Sequence, residues 1–267
     1  MSARSTARAI PTLLKVGFAE AVAYRAEMLV WILATTMPLV MMALWTAVAR
    51  DAPIGRFGEK EFVGYFLATF IVRQLTGSWA AWQINFEVRQ GTLSMRLLRP
   101  LNPVVAWAVE HLAYMPLRFA VAIPIAAVML VGIGGAHLPS SAAMWAVCLL
   151  AIVGGWCITF LAGVLIGSLS LFMESSLKLM DVWLAAFFVF SGYLIPIELF
   201  PPWLERLTNW LPFRYQIGLG VEILTSRYDL RGALGMLAYQ WTYVLVLAVA
   251  GHWLWRVGLR RFAAYGG

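Results

Sequence analysis

Apolar residues run along this chain in six long blocks, preceded by one stretch that alternates at helical period. The blocks cover residues 28–49, 62–84, 104–133, 142–172, 177–195 and 233–257. Each reaches or nearly reaches the ~20 residues that an α-helix needs to cross a bilayer. In the leading stretch Ile10, Leu13, Leu14, Gly17, Phe18, Ala21 and Tyr24 share one helical face. Arg8, Thr12, Lys15, Glu20 and Glu27 share the other. Such a helix either lies on a membrane surface or packs on the bundle as a cytosolic helix.

The last long connection, 196–232, opens with prolines at Pro196, Pro201 and Pro202 and meets another at Pro212. Proline suits a first helical turn, so a short amphipathic helix is predicted from Pro202 to about Leu211. The apolar stretch 213–224 that follows is too short to span. Two arrangements fit: half-length helices dipping into the membrane, or a pair lying flat on its outer surface.

Composition removes the soluble alternatives. Of 267 residues, 62% are hydrophobic and 12% charged, and the mean hydropathy is +0.79. The net charge of +7 sits in connections between apolar runs, which argues for membrane surfaces rather than nucleic acid. Eleven basic residues (Arg4, Arg8, Lys15, Arg25, Arg89, Arg96, Arg99, Lys178, Arg256, Arg260, Arg261) fall on the side holding both termini. Seven (Arg50, Arg56, Lys60, Arg206, Arg214, Arg227, Arg231) fall on the other. The bias predicts cytoplasmic termini. The first 27 residues lack the compact apolar region of a cleavable signal. Cys148 and Cys157, nine residues apart in one apolar segment, lie on opposite helical faces and cannot bridge.

Chemistry-bearing motifs are sparse. The three lysines, Lys15, Lys60 and Lys178, none of them after a glycine, rule out a Walker A motif. His111, His137 and His252 are scattered, and Ser170 with His252 is the nearest approach to a nucleophile and base at similar depth. The richest stretch is the connection 85–103. Gly91 can end one helix, Thr92 or Ser94 can cap a short one containing Leu93, Leu97 and Leu98, and Pro100 and Pro103 stop it. This turn either docks a partner protein or serves only as a basic loop that fixes topology.

The pattern Arg89-x-Gly91-Thr92-Leu93 through Leu97-Leu98-x-Pro100-Leu101-Asn102-Pro103 resembles the coupling segment of type-2 ABC exporter permeases, in particular a bacterial six-span branch often paired with a second related permease. Ser191-Gly192-Tyr193-Leu194-Ile195-Pro196, Phe200-Pro201-x-Trp203-Leu204, Leu211-Pro212-Phe213-x-Tyr215 and the tail 260–267 are similar to that branch as well. The resemblance implies an all-α integral membrane fold. It would have an interfacial segment (1–27) and a single transmembrane permease domain (28–267) with six spans, a cytoplasmic coupling helix and an outer re-entrant helix pair. Glu87, Arg89, Gly91, Leu93, Arg96, Leu97, Leu98 and Arg99 would couple to the ATPase. Gly192, Pro196, Pro201, Trp203, Pro212 and Tyr215 would form the outer gate. Partners would be two copies of a cytoplasmic ABC ATPase, which carry the ATP and Mg, a second identical or homologous permease, and the bilayer of the bacterial inner membrane. This chain would bind no cofactor or metal, catalyse nothing itself and bind no nucleic acid. Rival classes are an ion-coupled secondary transporter, a membrane enzyme and a non-transporting anchor subunit.

Three charges lie inside predicted spans. Arg73 is about eleven residues from either end of its block, roughly 16 Å along a helix. Arg118 is similarly deep, and Glu110 lies nearer the cytoplasm. An unpaired charge at such depth costs at least ~2.5–3.5 kcal/mol. Either Arg73 pairs with Glu110 to lock two helices, or Arg73 and Arg118 line a path for an anionic or polar substrate. The small residues Ala151, Gly155, Thr159, Gly163 and Gly167 recur at every fourth position of the fourth block and predict a close helix contact. Pro116 and Pro124 predict kinks in the third.

Overall fold

The computed structural model describes residues 3–133, 139 and 141–262. They form thirteen α-helices: α1 (Ala3–Ala23), α2 (Arg25–Ala34), α3 (Met37–Ala49), α4 (Glu59–Thr76), α5 (Ala80–Arg89), α6 (Leu93–Leu97), α7 (Pro103–Ala113), α8 (Met115–Ile133), α9 (Ala142–Ser168), α10 (Ser176–Phe190), α11 (Pro202–Thr208), α12 (Gly218–Leu224) and α13 (Leu230–Arg261). No strand forms among the described residues. Ile54 and Phe57 make one isolated antiparallel bridge. The last five residues of the predicted tail motif, 263–267, lie outside the described residues.

Among the described residues four stretches are long and apolar enough to cross a membrane: Leu29–Ala49, Pro103–Val128, Ala142–Leu171 and Leu230–Arg261. The other two predicted spans are built differently. Block 62–84 divides into α4 and α5 at Gly77–Trp79. Block 177–195 holds only the 15-residue α10, which rises roughly 22 Å, and then turns at Gly192 (φ +81°).

Helix breaks recur inside the membrane-length stretches, and two have proline as their cause. Pro38 stands in the first turn of α3. It cannot donate to the carbonyl four residues back, so the helix parts at Thr35–Thr36. At the break the carbonyls of Ile32 and Leu33 accept from both the amide and the hydroxyl of Thr35 and of Thr36, the hydroxyls at 2.8 and 2.7 Å. Pro116 parts α7 from α8 at Tyr114 in the same way, and Pro124 lies inside α8.

The centre of the bundle is α9, which packs on α13, α5, α4 and α12. The small-residue stripe makes this possible. A Cβ on Gly163 would lie 3.1 Å from Ala80 Cβ and one on Gly167 2.9 Å from Ile84 Cβ, so this half of the stripe seats α5. A Cβ on Gly155 would lie 2.4 Å from the Gln216 carbonyl oxygen, so the other half seats the segment leading into α12. The stripe is therefore filled from within the chain.

The N-terminal helix α1 touches α7 through a narrow seam in which Gly17 and Ala21 are buried, Gly17 directly against Ala113. Phe18 and Tyr24, on the same predicted apolar face, stay 43% and 61% exposed. The outer pair also divides. Trp203, Leu207 and Trp210 of α11 and its exit are exposed, whereas the first six residues of α12, 218–223, are all buried. Helix α12 thus inserts among α4, α9 and α13 while α11 stays outside. The helix predicted to reach Leu211 ends at Thr208, in the turn before Pro212.

Substituting Gly155 by Leu is expected to cost about 1–3 kcal/mol through overpacking, because the neighbour is backbone. Gly235, whose Cβ would meet nothing within 4 Å, should accept Ala with no loss. Thermal-shift measurement of the two purified variants checks both.

Candidate functional site

Helix α6 holds five residues, too few to be stable alone, so it depends on its anchors. Gly91 (φ +72°) supplies the left-handed turn out of α5. Thr92 occupies the cap position, but its hydroxyl donates back to Glu87 O (3.4 Å) instead of accepting from the helix amides. Leu93 is fully buried in a cluster with Ile84, Trp107, Phe160, Val164 and Trp255. Asn102 caps α7, its side-chain oxygen accepting from Val104 N (2.9 Å), with Pro103 in the first turn.

The decisive anchor is Arg96. Its Nε donates to Glu87 Oε2 and its Nη2 to Glu87 Oε1, both at 2.8 Å, so one fork of the guanidinium is bidentate on α5. Its Nη1 donates to Glu110 Oε1 on α7, also at 2.8 Å. The group lies over the Trp107 ring, 5.3 Å from its centroid, and Trp107 Nε1 donates to Glu87 Oε1 (3.0 Å). Burial works to lower the Arg96 pKa, but the hydrogen bonds and charges of Glu110 and Glu87 outweigh it and leave it raised. Glu110, predicted as a partner for Arg73, is thus taken by Arg96. That correction follows from reach, since Arg96 leaves α6 beside the carboxylates of both neighbouring helices.

From Glu110 a hydrogen-bonded chain runs deeper. Gln83 Nε2 donates to Glu110 Oε2 (2.9 Å), which turns the Gln83 oxygen toward His111 Nε2 (3.0 Å). His111 Nε2 must then carry the proton, and Nδ1 accepts from the Ser78 hydroxyl (2.9 Å). Ser78 Oγ accepts from Ala80 N (3.3 Å) at the start of α5. Trp79 stacks on His111 at 4.1 Å between centroids, and Arg118 lies over Trp79 at 5.0 Å. The chain links the α6 turn to the α4–α5 break. Sequence reasoning missed Gln83, His111 and Ser78. The i, i+4 spacing of Gln83 with Glu87, facing Trp107 and His111, was the available signal.

The other predicted coupling residues divide by exposure. Leu98 is 86% exposed, and Arg99 is exposed beside it. Leu97 is half-buried, and Met95, absent from the sequence-based set, is exposed. Arg89 is turned to the opposite connection, where its Nη2 donates to Glu174 O.

At the far end of the bundle Gly192 is in contact with Tyr65, whose hydroxyl donates to Gly192 O (2.7 Å). A Cβ there would lie 2.6 Å from that hydroxyl. Pro196 and Pro201 precede short helical turns. Tyr215 is buried, donating to Asn209 O (2.8 Å). Pro212 is half-buried, and Trp203 points outward, away from the buried gate residues. Behind them stands a charge network that the sequence did not announce. Arg214 Nη2 donates to Glu222 (2.9 Å) with both side chains almost fully buried. Arg227 also pairs with Glu222, with Glu205 and with Glu198. Arg56 forks onto Glu198 with two 2.6 Å bonds. Tyr228, half-buried in this network, has its pKa pushed up to about 12, first by desolvation and then by Glu222.

The sequence matches the family described as ABC-2 family transporter protein over residues 26–266. The chain belongs to the ABC-2 transporter family. A comparison with curated proteins gives no match. Membership makes this a membrane permease component of an ABC transporter and implies an ABC ATPase as its partner. In this ABC-2 permease, the turn bearing α6 and the buried Arg214–Glu222 cluster therefore belong to a transporter's membrane component.

Replacing Arg96 by Ala leaves the buried Glu87 and the half-buried Glu110 without their cation. The loss should be about 2–4 kcal/mol, near the lower part of the range for a broken buried pair because Arg96 keeps 16% side-chain exposure. Arg96→Lys should recover only part of it, since an ammonium cannot fork onto Glu87. Denaturation midpoints of the purified variants measure both.

Proposed function

We propose that this chain is the permease subunit of an ATP-driven exporter in the bacterial inner membrane. It would have six crossings, with α4–α5 and α10 completing the four long ones, and both termini would lie in the cytoplasm. The exposed side of the α6 turn, Met95, Leu98 and Arg99, seats in a groove of a cytoplasmic ABC ATPase. Two such ATPases carry the ATP and Mg, and a second permease, identical or homologous, completes the path. Helix α1 leans on α7 with Phe18 and Tyr24 at the membrane surface. Gly192, Tyr215 and the buried α12 form the outer gate.

The observation that carries this reading is the Arg96 clamp. A push on the exposed residues of α6 reaches α5 and α7 together, because one guanidinium binds both. Glu110, Gln83, His111 and Ser78 then pass the displacement to the α4–α5 break.

The test is co-purification in mild detergent. The wild-type chain should bring down an ABC ATPase, and Leu98→Asp with Arg99→Glu should lose it while keeping wild-type thermal stability. His111→Leu should keep the ATPase but reduce transport-coupled hydrolysis about ten-fold. Labelling that places Leu98 outside the cell, or a double variant that still holds the ATPase, would overturn the proposal.

A further inference from the structure

With Glu110 taken by Arg96, the two deepest cations have no carboxylate. Among the described residues neither Arg73 nor Arg118 forms an ion pair. Both are half-buried. Arg118 stands in the interior of the Pro103–Val128 stretch, and Arg73 lies a turn before the α4–α5 break. A Cβ on Gly77 would lie 3.1 Å from Arg118 Nη1 and 3.4 Å from the Arg73 carbonyl oxygen, so the Arg118 guanidinium stands against the turn of α4 that begins at Arg73.

Their surroundings are aromatic rings and neutral oxygens. Arg73 lies over Phe187 at 5.1 Å and against the Tyr193 hydroxyl. Arg118 lies over Trp79 at 5.0 Å, and its Nη1 reaches the carbonyls of Gln74 and Gly77 only at 3.4 and 3.5 Å. Two guanidinium groups carry ten N–H donors between them, far more than these acceptors use. Tyr193 donates its own proton to Thr35 O (3.3 Å), so it meets Arg73 as an acceptor, and Gln74 Nε2 donates to Thr35 Oγ1 (2.7 Å). A pair of cations in an apolar layer, with rings for walls and donors in excess, has the chemistry of a site for negative charge.

We infer that Arg73 and Arg118 form a mid-span anion site that binds the acidic headgroup, phosphate, phosphodiester or carboxylate, of an amphiphilic molecule. The apolar surroundings of both arginines suit its hydrophobic part. The inference rests on the permease reading and gives that reading a substrate class. Whether the amphiphile is transported or is a bilayer lipid is a question of source, not of chemistry.

The probe is dodecyl phosphate, with dodecyltrimethylammonium as the same chain of opposite charge and inorganic phosphate as the headgroup alone. Each is titrated against the purified permease–ATPase complex in phosphatidylcholine nanodiscs. Dodecyl phosphate should bind the wild type, and Arg73→Gln and Arg118→Gln should each weaken it at least about ten-fold. Arg73→Lys should stay within about three-fold of wild type, which a merely structural role for the guanidinium would not produce. Dodecyltrimethylammonium should be unaffected by any of these changes, and inorganic phosphate should bind far more weakly than the amphiphile. Competition by phosphatidylglycerol added to the discs identifies a lipid ligand, and lack of competition identifies a transported one. Equal affinity for the two charged amphiphiles, no binding at all, or undiminished binding to the Gln variants overturns the inference. If Arg118→Gln does not fold, the Arg73 Gln and Lys pair decides alone. Retained ATPase co-purification and ATP hydrolysis in these variants would confine such a failure to the anion site and leave the permease reading standing.

Discussion

A single guanidinium satisfied by carboxylates from two helices is the constraint on which the α6 end of this permease depends. Arg96 uses three of its nitrogens on Glu87 and Glu110. Neither acid can leave without stranding charge in a half-buried place, so α5, α6 and α7 are held in one register. The five-residue α6 gains its persistence from this clamp and from the buried Leu93, not from its own helical propensity. The exposed Leu98 and Met95 are consequently mounted on a rigid base.

Much of the frame was legible in the pattern of the chain. Helical period located α1, α9 and α13. The fourfold small-residue spacing marked the packed face of α9, and Pro116 marked the break at Tyr114. Legibility failed where the answer depends on which helices are neighbours. Periodicity gives a residue's depth and facing along its own helix, but not the helix it faces. Glu110 seemed the acid available to Arg73 because both are deep, yet Arg96 reaches it first from a turn outside the span. The Arg56–Glu198 pair closes over 142 residues of sequence, and no local pattern could have announced it. The break at Gly77–Trp79 has no proline, and its cause lies in the fold. Gly77 leaves room for Arg118, whose Nη1 would stand 3.1 Å from a Cβ there. Likewise α10 reads as a span by composition but stops at 15 residues, because Gly192 turns the chain under Tyr65.

Irregular backbone is tolerated at membrane depth only where its polar groups find protein partners or line a cavity. Two of the breaks, α2–α3 and α4–α5, meet that condition by different means. Thr35 and Thr36 return their hydroxyls to the preceding turn, Ser78 accepts from the first amide of α5, and Arg118 leans on the carbonyls of Gln74 and Gly77. These solutions touch one another, because Gln74 binds Thr35 and Tyr193 binds the Thr35 carbonyl. The interruptions therefore form one connected belt rather than independent kinks. A belt of short, side-chain-held joints can bend where continuous helices would resist.

Charge is distributed along the bundle in a way that packing alone does not explain. Among the described residues four arginines meet four glutamates at the end that holds α11, and at the α6 end one arginine meets two. Between them, where an ion costs most to bury, two arginines meet none among the described residues. Gln74, next to Arg73, holds the α2–α3 break with a neutral amide, so a neutral side chain suffices for structure at this depth. What a guanidinium adds over an amide is charge, and charge without a counter-ion in an apolar layer is a standing cost unless another molecule supplies the counter-charge. Trp79 touches both ends of this argument, lying under Arg118 and stacked on His111. A shift of the coupling turn, carried from Glu110 through Gln83 to His111, would move the floor of the site that holds the unmatched charge.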